Sequence, residues 1–392
     1  MSEWKKVKLG EITIIKTGKL DSNAAVPNGA YPFFTCDPTT LSIDKWAYDT
    51  EAILLAGNNA SGNYTAKYYK GKFNAYQRTY IIETLNPQFA SVRYMAYAMN
   101  QQLQLLKVMS SGSTTKFLTM KMLTQLSIDL PSIETQNRIA TILSRYDSLI
   151  KNYQKQIKLL EEAAQRLYKE WFVDLHFPGH ETTKIVDGVP EGWEKKKLIE
   201  FGCTLESGSR PKGGVDSNLK DGIPSVGAEN VIGLGKYNYS SEKLITNQFY
   251  SQMRKGKIKN RDILIYKDGA YIGRTSLFQD GFPHKEMAVN EHVFLLHTLN
   301  ENYQYYVFFT LYQKQYFEKM QKLNKNAAQP GLNQKALLDL GMLCPSEEFV
   351  MTFRKAIEPL MKALFNKANQ IRLLTEARDR LLPKLMSGEI KA

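Results

Sequence analysis

Two long stretches of this chain carry their hydrophobic residues at alternating steps of three and four. In the first, Ile139, Leu143, Tyr146, Ile150, Tyr153, Ile157, Leu160, Ala164, Leu167 and Trp171 follow that spacing, which lines them along one helical face as the seam of a coiled coil. In the second, Phe353, Ile357, Leu360, Leu364, Lys367, Ile371, Leu374, Arg378, Leu381 and Leu385 take the matching positions, two cations among them. Ser132 can cap the first helix, and Glu134 sits in its first turn, where the helix dipole favours an acid. Pro178-Gly179 is expected to end it, with 180–192 as a linker. Pro359 is expected to kink the second helix or begin it afresh, because proline removes a backbone donor. A helix of roughly forty residues is about 60 Å long, longer than a small domain is wide. Neither helix can bury its stripe alone, so each is expected to be the other's partner.

The segments ahead of these helices alternate short aliphatic runs with Gly- and Asn-rich stretches, and they are written twice. Trp4 and Leu9 recur as Trp193 and Leu198, an offset of 189; Ile53-Leu54-Leu55 recurs as Ile263-Leu264-Ile265, an offset of 210. From Tyr80-Ile81-Ile82 and Phe294-Leu295-Leu296 onward the offset settles at 214. It then carries Leu118, Lys121, Leu123, Leu126, Pro131 and Ser132 onto Leu332, Lys335, Leu337, Leu340, Pro345 and Ser346. The same offset carries Asn152, Gln156, Ile157, Leu159, Leu160, Glu162, Ala163, Arg166 and Leu167 onto Asn366, Gln370, Ile371, Leu373, Leu374, Glu376, Ala377, Arg380 and Leu381. The chain is therefore a tandem duplication, with most of the second copy's extra length between Trp193 and Ile263. The expected class is α+β: two similar mixed α/β domains, 1–131 and 179–345, separated by two long helices, 132–178 and 346–392, packed as an antiparallel coiled coil. Two similar heads held by a rigid spacer suit a ruler that reads two places a fixed distance apart.

Composition narrows the partner. The net charge is +13 and the pI near 9.3, a surplus that attracts polyanions, nucleic acid foremost. Many of the 22 tyrosines stand beside Lys, Asn or Gln, as in Tyr64-Thr-Ala-Lys67-Tyr68-Tyr69-Lys70; tyrosine suits wet interfaces with sugar, phosphate and base. Cys36, Cys203 and Cys344 are odd in number and far apart, which points to neither a disulfide framework nor a zinc site. The N-terminus lacks the apolar core of a signal peptide, and no apolar run approaches membrane-spanning length, so a cytoplasmic protein with no membrane partner is expected. His176 and His180 are four apart but straddle Pro178-Gly179, which spoils helical metal-ligand geometry. His292 and His297 read as structural strand residues, and the acids Glu229, Asp262 and Glu286 are too dispersed to read as a nuclease cluster. Neither a methyltransferase Asn/Asp-Pro-Pro-Tyr/Phe motif nor a phosphate-binding Gly-x4-Gly-Lys-Ser/Thr motif occurs.

Several phrases, together with the doubled architecture, resemble the specificity subunit of Type I restriction-modification systems. They are the opening Trp-x4-Leu of each half; Ile53-Leu-Leu-Ala-Gly57-Asn-Asn-Ala-Ser-Gly62 with its partner Asp262-Ile-Leu-Ile-Tyr-Lys-Asp-Gly269-Ala-Tyr-Ile-Gly273; and Gly112-Ser-Thr-Thr-Lys-Phe-Leu118 followed by Leu126 and Pro131. The second copy departs from the last of these, reading Asn326-Ala-Ala-Gln-Pro-Gly-Leu332. The helical segments Ile157–Leu167 and Ile371–Leu381 are similar to the family's shared helical regions. The resemblance implies two target-recognition domains, each reading one half of a bipartite, asymmetric sequence in double-stranded DNA, with the helices setting the gap. It implies two methyltransferase subunits and two motor-nuclease subunits as partners in host defence. S-adenosylmethionine, ATP and Mg would sit on those partners, leaving this chain non-catalytic and without a cofactor or metal. DNA contacts are expected from Asn58, Asn59, Asn63, Gln77, Arg78, Ser113, Thr114 and Lys116 in the first copy. In the second they are expected from Arg210, Lys212, Lys267, Tyr271, Arg274, Asn290 and Gln329. Asn and Gln suit adenine, Arg suits guanine, and Lys mostly meets phosphate. Two other classes compete: a protein scaffold whose heads bind no DNA, and a self-sufficient DNA enzyme.

Overall fold

The computed structural model describes residues 4–59, 64–103, 116–323 and 331–392. It divides into two compact units, one formed by 1–148 with 374–392 and the other by 149–373. Among the described residues no helix is long and apolar enough to cross a membrane.

The strands of the first unit are β1 (Lys5–Lys8), β2 (Thr13–Thr17), β3 (Tyr31–Phe34), β4 (Leu41–Ile43), β5 (Tyr48–Ala56), β6 (Asn58–Asn59), β7 (Ala66–Ala75), β8 (Thr79–Thr84), β9 (Lys116–Phe117) and β10 (Ser127–Leu130). A six-stranded sheet runs β2-β8-β5-β7-β3-β4, with β1 paired to β10 and β6 to β9. The apolar run at the end of β5 reflects burial on both sheet faces. Ile53 and Leu55 join a core built with the helix Val92–Gln101 and with Ile139 and Leu143, whereas Ala52 and Leu54 face Phe34, Phe73 and Ile81 on the other side.

In the second unit β11 (Ile185–Val186) and β12 (Val189–Pro190) form a hairpin inside the expected linker. Its turn residues Asp187 and Gly188 both have positive φ, which Asp-Gly tolerates well. The remaining strands are β13 (Glu194–Lys197), β14 (Cys203–Ser207), β15 (Ile223–Val226), β16 (Leu244–Ile245), β17 (Ile263–Tyr266), β18 (Thr275–Leu277), β19 (Ala288–Val289), β20 (Val293–Thr298) and β21 (Gly341–Cys344). The sheet order β14-β20-β17-β18 repeats β2-β8-β5-β7. In the first unit a single strand, β7, borders both β5 and β3; in the second, β18 borders β17 and β19 borders β15 in parallel. Between β18 and β19 the chain turns through Asp280 and Gly281, both with positive φ.

The duplication holds to the level of single hydrogen bonds. Ile53 faces Ile82 as Ile263 faces Leu296. Leu9 donates its amide to the Leu126 carbonyl as Leu198 does to Leu340 (2.8 and 2.9 Å). Glu11 accepts from the Lys8 amide as Glu200 does from Lys197. The Tyr94 hydroxyl donates to the Asp129 carbonyl as Tyr306 does to Leu343.

The first long helix is Ile133–Phe172 and the second Glu347–Met386, forty residues each. The Ser132 hydroxyl accepts from the Thr135 amide, the cap the sequence suggested. Within the first unit Ile139 and Leu143 share a core with Leu381, Leu382, Leu385 and Met386. Within the second, Ile157, Ala164, Tyr168 and Trp171 pack with Phe353, Ile357, Met361 and Leu364. The early part of each helix thus meets the late part of the other, the antiparallel pairing expected. The two cations in the seam are accommodated locally: Lys367 lies over the Tyr153 ring at 5.0 Å, and Arg378 Nη1 reaches Asp147 Oδ1 at 2.7 Å.

Two sequence expectations are corrected. The first helix ends at Phe172, ahead of Pro178-Gly179, because Leu175 enters the left-handed region (φ 61°) and Lys169 folds onto Asp174 at 2.5 Å. The second helix does not restart at Pro359. Its side chain lies on the exposed face, while Ile357, Met361, Leu364 and Phe365 are fully buried on either side of it and hold the flanking turns. Pro359→Ala should therefore restore a helical hydrogen bond and raise stability by about 2 kcal/mol, the helix-propensity gain less the unfolded-state entropy that proline removes. Urea unfolding of the two proteins measures this; a loss of stability would mean that the proline shapes the helix.

Candidate nucleic-acid interface

At one end of the first sheet, β5 passes through Gly57 into β6, and the exposed turn between β7 and β8 carries Gln77 and Arg78 alongside it. Gly57 donates its amide to the Arg78 carbonyl (2.8 Å), and its own carbonyl accepts from Leu118 (2.9 Å). There is no room for a side chain here: a Cβ on Gly57 would lie 2.5 Å from the Arg78 oxygen. The Cys36 thiol donates to Asn58 Oδ1 at 2.7 Å and also approaches the Arg78 carbonyl. Asn59 stands opposite Lys116 in the β6–β9 ladder. Asn58, Asn59, Gln77, Arg78 and the backbone of Lys116 are thus gathered at one sheet end. Asn63, Ser113 and Thr114 lie outside the described residues. Nearby Lys67, which donates to the Asp37 carbonyl at 3.2 Å, has its pKa lowered by burial.

The second unit repeats the frame with different chemistry. Lys267 occupies the place of Gly57, and its carbonyl accepts from Leu332 at 2.8 Å, as that of Gly57 accepts from Leu118. Its Nζ donates to the Glu291 carbonyl and lies over the Phe294 ring. Arg210 Nε contacts Glu291 Oε1 at 2.6 Å; His292 is flanked by Asp268 Oδ2 (3.2 Å) and Glu291 Oε1 (3.5 Å). Arg274 stacks over the Tyr271 ring at 3.9 Å, on the turn that follows β17. Lys212 is exposed on the loop of Arg210. Asn290 adjoins these residues but is buried, and its Oδ1 accepts from the His292 amide, so its side chain shapes the turn. Gln329 lies outside the described residues.

Asp268 and Glu291 are members that sequence reasoning missed, and His292, read there as a structural strand residue, instead lies in the turn ahead of β20 against both of them. Residues 210, 268 and 291 are far apart in sequence, and only the fold brings them together. His297 is structural, as expected: its Nδ1 is 2.9 Å from Asp262 Oδ1, and burial pushes the Asp262 carboxyl up to about 6. Glu229 is instead tied to Lys243 at 2.8 Å.

These features define an internally duplicated protein with a polar loop cluster on each copy of a common sheet frame. Comparison with known proteins names the class. The family model for the Type I restriction modification DNA specificity domain matches residues 1–162 and 190–365. The chain belongs to the family of Type I restriction-modification specificity subunits. It is 39% identical over 165 residues to the specificity subunit of the EcoDI enzyme of Escherichia coli, covering 42% of this chain and 35% of that protein. It is 30% identical over 305 residues to the MjaIX specificity subunit of Methanocaldococcus jannaschii, covering 76% and 68%. The crystal structure of the S subunit from M. genitalium has the same fold, with a TM-score of 0.65 at 19% identity over 98% of this chain and 96% of that one.

In the second unit a Cβ on Gly208 would lie 1.6 Å from the Val289 carbonyl oxygen, so the loop carrying Arg210 rests directly on the strand leading to Glu291. Gly57→Ala and Gly208→Ala should each cost about 1–3 kcal/mol by overpacking, and each should weaken retention on duplex DNA by displacing its cluster. Denaturation curves and salt-gradient elution from immobilised duplex check both effects; wild-type elution by a folded variant would dissociate that cluster from DNA.

Proposed function

We propose that each unit reads one half of a bipartite, asymmetric DNA target, and that the helical pair sets the gap and docks methyltransferase subunits. The observation that carries this reading is the common frame with unlike chemistry: the bond from Leu118 to Gly57 and the bond from Leu332 to Lys267 are equivalent, yet one frame presents Asn58 and Arg78 and the other Arg210, Tyr271 and Arg274. One fold used twice suits two groove surfaces of the same kind, and unlike side chains suit two different half-sequences. The surplus of positive charge supplies sequence-independent attraction to the duplex.

Two reading heads on one face of B-DNA belong about one helical turn, or a multiple of it, apart, and unbroken helices hold a spacing that a flexible linker would not. Methyl transfer with S-adenosylmethionine, and cleavage with ATP and Mg, fall in this reading to two methyltransferase and two motor-nuclease subunits, with the complex working in the cytoplasm.

Co-expression with the cognate methyltransferase subunit, followed by single-molecule mapping of methylated adenines, should return a two-part motif with a fixed gap. A continuous motif would reject the two-head geometry, and no methylation by a soluble, bound partner would favour a scaffold. Exchanging residues 1–131 for another recognition domain should change one half of the motif only; change in both halves, or in neither, would sink the model.

A further inference from the structure

The loop cluster of the second unit contains a fixed arginine whose surroundings distinguish between two roles. Arg210 uses Nε to hold Glu291 Oε1 at 2.6 Å, while its side chain remains 54% exposed. Its two terminal amino groups are therefore the part left to act as a fork. Glu291 is itself well anchored. Lys267 Nζ grips its carbonyl, the Asn290 side chain turns the chain just ahead of it, and His292 flanks its Oε1. The other carboxylate oxygen, Oε2, is sealed from solvent with no hydrogen-bond partner among the described residues, so the carboxylate depends on its remaining contacts for compensation. The contact between Gly208 and Val289 leaves the arginine's loop little freedom to move off that platform.

An exposed arginine in a DNA-binding protein serves either a phosphate or a base edge. In the contact set around Glu291, two cations, Arg210 and Lys267, stand with two carboxylates, Asp268 and Glu291, while Lys212 and Arg274 lie outside that set. A balanced cluster disfavours an approaching phosphate but leaves directional donors intact for an uncharged base edge. Lys267 is already committed to a carbonyl and to the Phe294 ring, and Arg274 is stacked on the Tyr271 ring. Lys212, exposed on the same loop, lacks a planar fork, which leaves Arg210 as the cation held by Glu291 with its fork outward. We infer that Arg210 reads a guanine in the half-target of the second unit, through its terminal amino groups to O6 and N7, and that Glu291 is the positioning residue that orients it. The inference rests on the chain's reading as a two-headed specificity subunit, and it adds which residue sets a base and which base it sets.

The test uses the assembled complex with its methyltransferase subunit and the methylation map as readout. The wild-type motif should contain a fixed G·C pair in the half assigned by domain exchange to residues 179–345. With R210A that one pair should become degenerate, discrimination falling on the order of ten- to hundredfold, while the other half stays intact. E291Q should relax the same pair, a change that a merely structural role would not confine to one base. R210K, which keeps the charge but lacks the planar fork, should fail to restore it; it carries the same expectation if R210A does not assemble. An unchanged motif in R210A, a uniform loss of methylation at all sites, or a second half without a fixed G·C pair would each overturn the assignment. Failure of the two-head reading would show separately, as a wild-type map with no two-part motif.

Discussion

An apolar stripe forty residues long must be covered, and the demands of covering it organise this protein. Each helix meets that demand with the other helix and with the domain beside it. Phe353 is fully buried between Trp171, Phe172, Tyr168 and Phe309, a cluster of the kind in which each ring contributes about 1.5–3 kcal/mol. Phe172 reaches on to Trp193, the residue with which the second copy begins. Helix seam and domain core are therefore one hydrophobic body in that unit. In the first unit Leu385 and Met386 at the end of the second helix complete the core of the first sheet.

Polar residues in such a seam are costly unless matched, and two acids of the first helix are matched closely. Arg378 and the Tyr97 hydroxyl both converge on Asp147. Glu161, itself buried, accepts from Tyr312 at 2.6 Å and meets Lys236 at 3.4 Å. The Arg378–Asp147 pair joins the two helices and is partly exposed, so it contributes modestly to stability, whereas Glu161 ties the first helix to the domain beside it.

The same division between frame and decoration runs through the two sheets. Backbone bonds, which any sequence can make, are repeated between the copies with little change; side chains on the loops they support are not. Long-range attraction to a polyanion is a property of the net charge of +13. The contacts immediately around Glu291 in the second unit pair two cations with two carboxylates, suited to discrimination over bulk affinity.

Much of this was legible in the chain. Periodicity gave both helices and their seam, because a helix in contact along its length must repeat its apolar residues at the helical period. The offset that settles at 214 gave the duplication and the equivalence of Leu118 with Leu332, and the recurring aliphatic run gave that of Ile53 with Ile263 at an offset of 210, since equal folds need equal core positions. At 359 the helix does not begin afresh: the packing of Ile357, Met361, Leu364 and Phe365 outweighs one lost hydrogen bond. The pairing of Arg210 with Glu291 was not legible, because residues 81 apart in sequence meet only when Gly208 closes onto Val289. Nor was the burial of Asn290, which looks like any loop asparagine until its amide partner is known. What the chain determined alone was periodic and repeated, and so statistically visible; what tertiary structure decided were single long-range encounters, whose geometry no local pattern encodes.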